Sequence, residues 1–171
     1  MDKSILKYSA ILLIMIGGFG ADYHSKKWAE DNLRNKPAAV LSTHFLDLGY
    51  AENRGMVFGV LNGRMSEFSS GIMTFIRASI FLGLSVFIWI KRKQPYWFLL
   101  PFLLFWAGAA GNLIDSIARG YVVDFIHIHA GSFLNWPFYF NLADAYITLG
   151  MVLVAVYELI RMFHRKPSFL T

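Results

Sequence analysis

The chain has 171 residues, 56% of them hydrophobic and only 16% charged, with a mean hydropathy of +0.47. A soluble domain carries about a quarter charged residues, so the composition argues against a soluble enzyme, a disordered tail and a nucleic-acid module. The formal charge is +5, but the basic residues flank apolar runs, as loop charges of a membrane protein do. Without cysteine there is no disulfide framework, thiol nucleophile or thiolate metal site.

Hydropathy predicts an all-α membrane protein of four spans, forming one membrane-embedded domain over residues 1–171. The first span covers about residues 5–28. Its apolar stretch between Lys7 and Asp22 is shorter than the roughly twenty residues a crossing needs, so Lys7 is expected to snorkel and the helix to run on through Asp22. A basic start and small residues near Ala21 also resemble a cleavable signal peptide; we read the run as a retained helix. Residues 36–62 hold strand-like alternation on both sides of a turn at Glu52-Asn53-Arg54-Gly55, which predicts a small β-sheet on the membrane surface. The second span, 68–90, is interrupted only by Arg77, expected to snorkel or to face a polar neighbour and given no role. The third span is 94–118, and residues 119–139, with Gly120, Gly131 and Pro137, read as a loop at headgroup depth carrying at most a short amphipathic helix. The fourth span is 140–163.

Lys and Arg are dense in the short segments at one end, among them Lys3, Lys7, Lys91, Arg92, Lys93, Arg161 and Arg165, and sparse over the two long segments. That places both termini in the cytoplasm and the sheet outside. Asp22, Asp115, Asp124 and Asp144 then fall at or near the outer helix ends.

Ionisable groups at membrane depth are candidates for chemistry. Gly108, Gly111, Asn112, Asp115 and Arg119 share a face of the third helix by spacing, as Asn141, Asp144 and Thr148 do on the fourth. Asp22 and Lys26 are one turn apart. Two carboxyls brought together in a dry site cannot both ionise cheaply, so one holds a proton while the other activates water. That is the arrangement of an aspartic protease. No His-Glu-x-x-His occurs for a zinc protease, and His127 with His129 would make a thin metal site. Asn53 and Gly55 suit a tight turn. Asn112 and Asn141 fit interhelical bonding and site-shaping equally.

Several blocks resemble those of the lipoprotein signal peptidase (signal peptidase II) family. They are Asp22-Tyr-His-Ser25-Lys26; Asn53-Arg-Gly55-Met-Val-Phe58; Gly108-Ala-Ala-Gly111-Asn112-Leu-Ile-Asp115 followed by Gly120-Tyr-Val122-Val-Asp124; and Phe140-Asn141-Leu-Ala143-Asp144. Each is weak alone, and together in order they are specific. The resemblance implies a bacterial plasma-membrane aspartic endopeptidase with a catalytic pair at Asp124 and Asp144. Its substrate would be a prolipoprotein carrying diacylglycerol on Cys, cut on the amino side of that Cys, with no metal or organic cofactor. Asn53, Gly55, Asn112, Asp115, Asn141, Ala143, Asp22, Lys26 and Arg119 would bind substrate or support the site. Membrane lipids would be its other partners, nucleic acid would not be one, and a monomer is expected. One departure stands out: the family usually has Arg directly after Asp115, where this chain has Ser116. Arg119, one turn beyond, is expected to pair with Asp115 instead. The readings weighed against a peptidase are an inactive lipopeptide-binding homologue and a proton-coupled carrier, though the carrier predicts repeats and none is visible.

Overall fold

The computed structural model describes residues 3–36, 41–42, 45–54, 66–130, 134–135 and 138–164. Four helices, each long and apolar enough to cross a membrane, make up most of the chain. They are α1 (Lys3–Leu33), α2 (Ser66–Lys91), α3 (Tyr96–Arg119) and α4 (Leu142–His164). The first overruns its expected end, so Asp22 and Lys26 lie inside the helix and not at its tip.

α3 is the hub. It packs on α1, α2 and α4, whereas the backbone of α2 comes close to α3 and, among the described residues, to neither α1 nor α4. Small residues let the backbones close up, as membrane helices require in the absence of a hydrophobic drive between them. A Cβ at Gly108 would run into the Ala143 carbonyl, and one at Gly150 into the Pro101 carbonyl. α2 is held by rings instead: Phe81 meets Trp106 at 5.0 Å and Phe87 meets Phe102 at 4.6 Å, centroid to centroid. Lys7 does more than snorkel. Its ammonium donates to the Arg92 and Gln94 carbonyls at 2.7 and 2.6 Å, satisfying acceptors in the turn that joins α2 to α3.

At the opposite end a sheet runs in the order β1 (Leu41–Ser42), β2 (Leu46–Asn53), β3 (Val122–Ala130), β4 (Leu134–Asn135), all antiparallel. Here the sequence reading needs correction. Residues 119–139 are not simply a loop, because their first half is the strand β3. Ile126 and Ile128 alternate with His127 and His129, a period of two that outweighs the nearby Gly and Pro. The sheet therefore does not lie within 36–62 alone: the short β1–β2 hairpin of that segment is extended by β3 and β4 from a segment far along the chain. The strand expected over 55–61 lies outside the described residues. Val123 and Phe125 pack with Tyr121 on Ala29 and Leu33, fastening the sheet to the last turns of α1.

The β2–β3 register slips between Leu48, opposite Ile126, and Ala51, opposite Asp124. One extra residue on β2 inverts which side chains share a face. As a result Ala51 and Asn53, not Tyr50 and Glu52, lie on the Asp124 side. Gly49 sits at the slip, with the Tyr139 hydroxyl 2.8 Å from where a Cβ would stand.

Candidate active site

The local structure around each carboxyl follows from short-range rules. Asn141 precedes the first residue of α4. Its Oδ1 accepts the Asp144 N–H at 3.0 Å, and Asp144 Oδ2 accepts the Asn141 N–H at 3.2 Å. This reciprocal pair is a capping box written in Asn and Asp. It explains the Asn-x-x-Asp spacing and fixes the Asp144 carboxyl. At the end of α3, Gly120 (φ +74°) supplies the left-handed cap, its N–H bonding the Ser116 carbonyl at 3.1 Å. The chain turns there into β3, and Asp115 Oδ2 accepts the Val123 N–H at 3.1 Å. Asp124 follows directly.

These devices bring the expected residues together. Asp124 Oδ1 accepts from the Asn141 amide at 2.6 Å, and its Oδ2 from the Asn53 amide at 3.0 Å. The Asn112 amide donates to Asp144 Oδ1 at 2.8 Å. Among the described residues no cation makes a salt bridge to either carboxyl. Asp124 is 3% exposed, whereas Asp144 is half-buried and faces cavities. Burial, with the Asp144 charge second, lifts the Asp124 carboxyl from its ordinary 3.8 to about 7, against the hydrogen bonds from Asn53 and Asn141.

Behind this pair lies a second cluster. Lys26, 1% exposed, forms an ion pair with Asp22 Oδ2 at 2.7 Å, donates to Asn112 Oδ1 at 2.8 Å, and lies 3.4 Å from Asp115 Oδ2. Arg119 pairs with Asp115 as its spacing predicts, and also reaches Glu30 at 3.0 Å. Asp22 Oδ1 accepts the Ala143 N–H at 2.8 Å, tying α1 to α4. Asn112 links the two clusters. Lys26 can only donate, so it fixes the amide oxygen toward itself and the NH2 toward Asp144. Asn112 and Asn141 thus bond between elements and shape the site at once. Gly111 is needed here because a Cβ would collide with the Asp22 carboxylate.

Gly55 and Phe58 lie outside the described residues. Sequence reasoning missed Glu30 as an Arg119 partner, and for Arg77 it expected snorkelling or a polar neighbour but assigned no role. Its guanidinium donates to Ser116 Oγ at 2.8 Å, beside the site; a lone charge in an apolar span was the available signal. His127 and His129 share Asp47 at 3.4 and 3.2 Å. No three His, Asp or Glu side chains among the described residues converge with metal-ligand geometry.

Two carboxyls in a shared amide cage at one end of a bundle of apolar helices are an arrangement that could hold and pass a proton, as the hydrolysis of a peptide bond requires. The comparisons agree with that class. The signal peptidase (SPase) II family matches residues 14–160. Proteins called lipoprotein signal peptidase are similar to this chain in Dichelobacter nodosus (35% identity, over 91% of this chain and 97% of the relative) and Fusobacterium nucleatum (31%, 96% and 91%). Another, from Chlorobium phaeobacteroides, is 34% identical over 80% of this chain and 82% of its own length. A solved bacterial membrane enzyme superposes with a TM-score of 0.75 at 26% identity, covering 95% of both chains. The chain belongs to the signal peptidase II family, and it is a membrane-spanning protease.

Proposed function

We propose that this protein removes the signal peptide from diacylglyceryl-modified lipoprotein precursors, cutting on the amino side of the lipidated Cys, with Asp124 and Asp144 as the acid–base pair. The observation that carries this reading is Asn141, which bonds one carboxyl through its amide and the other through its backbone N–H. Asp124, buried and raised to about 7, holds the proton at rest. Asp144 takes a proton from water as the water oxygen attacks the scissile carbonyl carbon, and Asp124 gives its proton to the carbonyl oxygen. Collapse of the tetrahedral diol breaks the C–N bond: Asp144 passes its proton to the leaving nitrogen, and Asp124 recovers one from the diol hydroxyl. Substrate room exists on both sides of Asp144. A cavity of about 220 Å³ lies between α2, α3 and α4, and an apolar one of about 630 Å³, lined by Ile128, Phe140, Leu149 and Val152, suits acyl chains. Asn53, Asn112, Asn141 and Ala143 shape the site, and Asp22, Lys26, Asp115 and Arg119 hold it. In this reading the protein is a monomer of the bacterial plasma membrane, with cytoplasmic termini and an outward-facing site.

The test is cleavage of a diacylglyceryl-modified prolipoprotein by the purified protein in detergent, beside Asp124→Asn, Asp144→Asn and a substrate without lipid. Cleavage before the modified Cys, lost in both variants and without the lipid, is expected. Cleavage surviving either substitution, or absent from a wild-type protein that binds the lipopeptide, would overturn the reading.

A further inference from the structure

Arg77 lies within the apolar length of α2, and an ionised guanidinium at membrane depth needs partners. One N–H goes to Ser116 Oγ at 2.8 Å, and that serine donates in turn to the Asn112 carbonyl at 2.8 Å. A hydroxyl is a modest partner for a full charge. Among the described residues no carboxylate forms a salt bridge with Arg77, although the charges of Asp144, Asp124 and Asp115 reach it. Arg77 lines the cavity of about 220 Å³ together with Asn112 and Asp144, the other walls being apolar, Phe105 and Ile147 among them. One N–H of the Asn112 amide is committed to Asp144. What this cavity offers an incoming chain is therefore an acceptor, Asp144, the second N–H of the Asn112 amide, and the several donors of Arg77, the only charged donor among the described residues of its lining.

A peptide opened for cleavage at membrane depth exposes carbonyls that no water satisfies, each at a cost of several kcal/mol. A guanidinium donates only and remains charged, which matches carbonyl oxygens and not N–H groups. We propose that Arg77 is a substrate-binding residue of this site, donating its remaining N–H groups to backbone carbonyls of the signal segment where it unwinds beside Asp144. This rests on the peptidase reading above. The competing role is a latch that only fastens α2 to α3 through Ser116.

Steady-state kinetics on the lipidated prolipoprotein, with the thermal midpoint of each variant, separates the two. Arg77→Gln is expected to raise KM about tenfold or more, the loss of a charge-assisted hydrogen bond, with a smaller change in kcat and an unchanged midpoint. Ser116→Ala removes the latch but keeps the guanidinium, so its KM rises far less. The double variant Arg77→Gln/Ser116→Arg returns a guanidinium from α3 to the spot Arg77 reaches, and most of the lost KM is recovered. That double variant carries the test if Arg77→Gln does not fold: a folded double variant with KM raised as far as expected for Arg77→Gln overturns the proposal. So does an Arg77→Gln with wild-type KM, or a Ser116→Ala that matches it in both KM and lowered midpoint. A wild-type protein that fails to cleave overturns the peptidase reading and this one together. Wild-type cleavage with Arg77→Gln unaffected removes only the role of Arg77.

Discussion

Two pairs of carboxyls lie side by side, joined by one asparagine, and they are built differently. Asp22 and Asp115 sit against cations, Lys26 and Arg119. Asp124 and Asp144 sit against amides, those of Asn53, Asn112 and Asn141. A cation ties a buried carboxylate into an ion pair that is costly to break from one side. An amide donates a hydrogen bond without fixing the charge, so the pair remains able to share and move a proton. On the function proposed here, the same side chain is scaffold or reagent according to whether its neighbour carries charge.

The largest contrast should come from neutralising each pair. Asp124→Asn and Asp144→Asn remove the proton traffic but keep the shape. Each should lower cleavage by about a thousandfold, within the range of general acid–base catalysis, with little loss of thermal stability. Retained cleavage in a folded Asn variant would erase the distinction between the pairs. The reverse pattern is expected of Lys26→Met, which strands Asp22 and leaves Asp115 with Arg119 alone. A buried pair broken on one side costs about 3–5 kcal/mol, read as a lower unfolding midpoint in detergent. The double variant Lys26→Met/Asp22→Asn should recover part of it. A charge swap of Asp115 with Arg119 should not recover, because Arg at 115 would face Lys26 and the Val123 N–H.

Asn141 touches both functions and gives a smaller, divisible effect. Asn141→Ala removes the cap of α4 and a bond to Asp124, and loss of the cap alone costs about 1 kcal/mol. Asn141→Ser keeps a capping oxygen but cannot donate as the amide does. Midpoint and cleavage rate should therefore separate: Ser restores most of the midpoint but not the rate. Equal recovery of both would mean that Asn141 acts on Asp124 only through helix stability.

Much of this was legible in the sequence. Four spans follow from hydropathy, and the site residues from ordered motifs; those that are described do converge. What stayed hidden depends on long-range register. The strand over 122–130 is defined by pairing with a segment some seventy residues away, and its alternation competed with Gly and Pro in the same stretch. The bulge at Gly49, which turns Asn53 toward Asp124, has no local signature. Amide direction was equally unreadable, because Lys26 sets it for Asn112 from another helix. Arg77 showed only as a charge without a role, since its partner Ser116 lies 39 residues on, near the far end of the next helix.

The finest test of the comparison is pH. Asp124 stands at about 7 against an ordinary 3.8, so the folded protein binds this proton more tightly than the unfolded chain does. Its stabilising contribution is full below about 3.8 and is lost as pH rises through about 7. Cleavage should follow on its alkaline side, falling above about 7 as the proton-bearing acid disappears. Asn53 donates to Asp124 and favours the ionised form. Removing that bond in Asn53→Ala should therefore move the alkaline limb upward, by roughly a unit or less for one hydrogen bond. Asp22→Asn, changing a carboxyl held by a cation, should alter the height of the profile far more than the position of that limb. A limb that stays in place in Asn53→Ala would mean that the amide cage does not tune the pair, and that burial alone sets the proton.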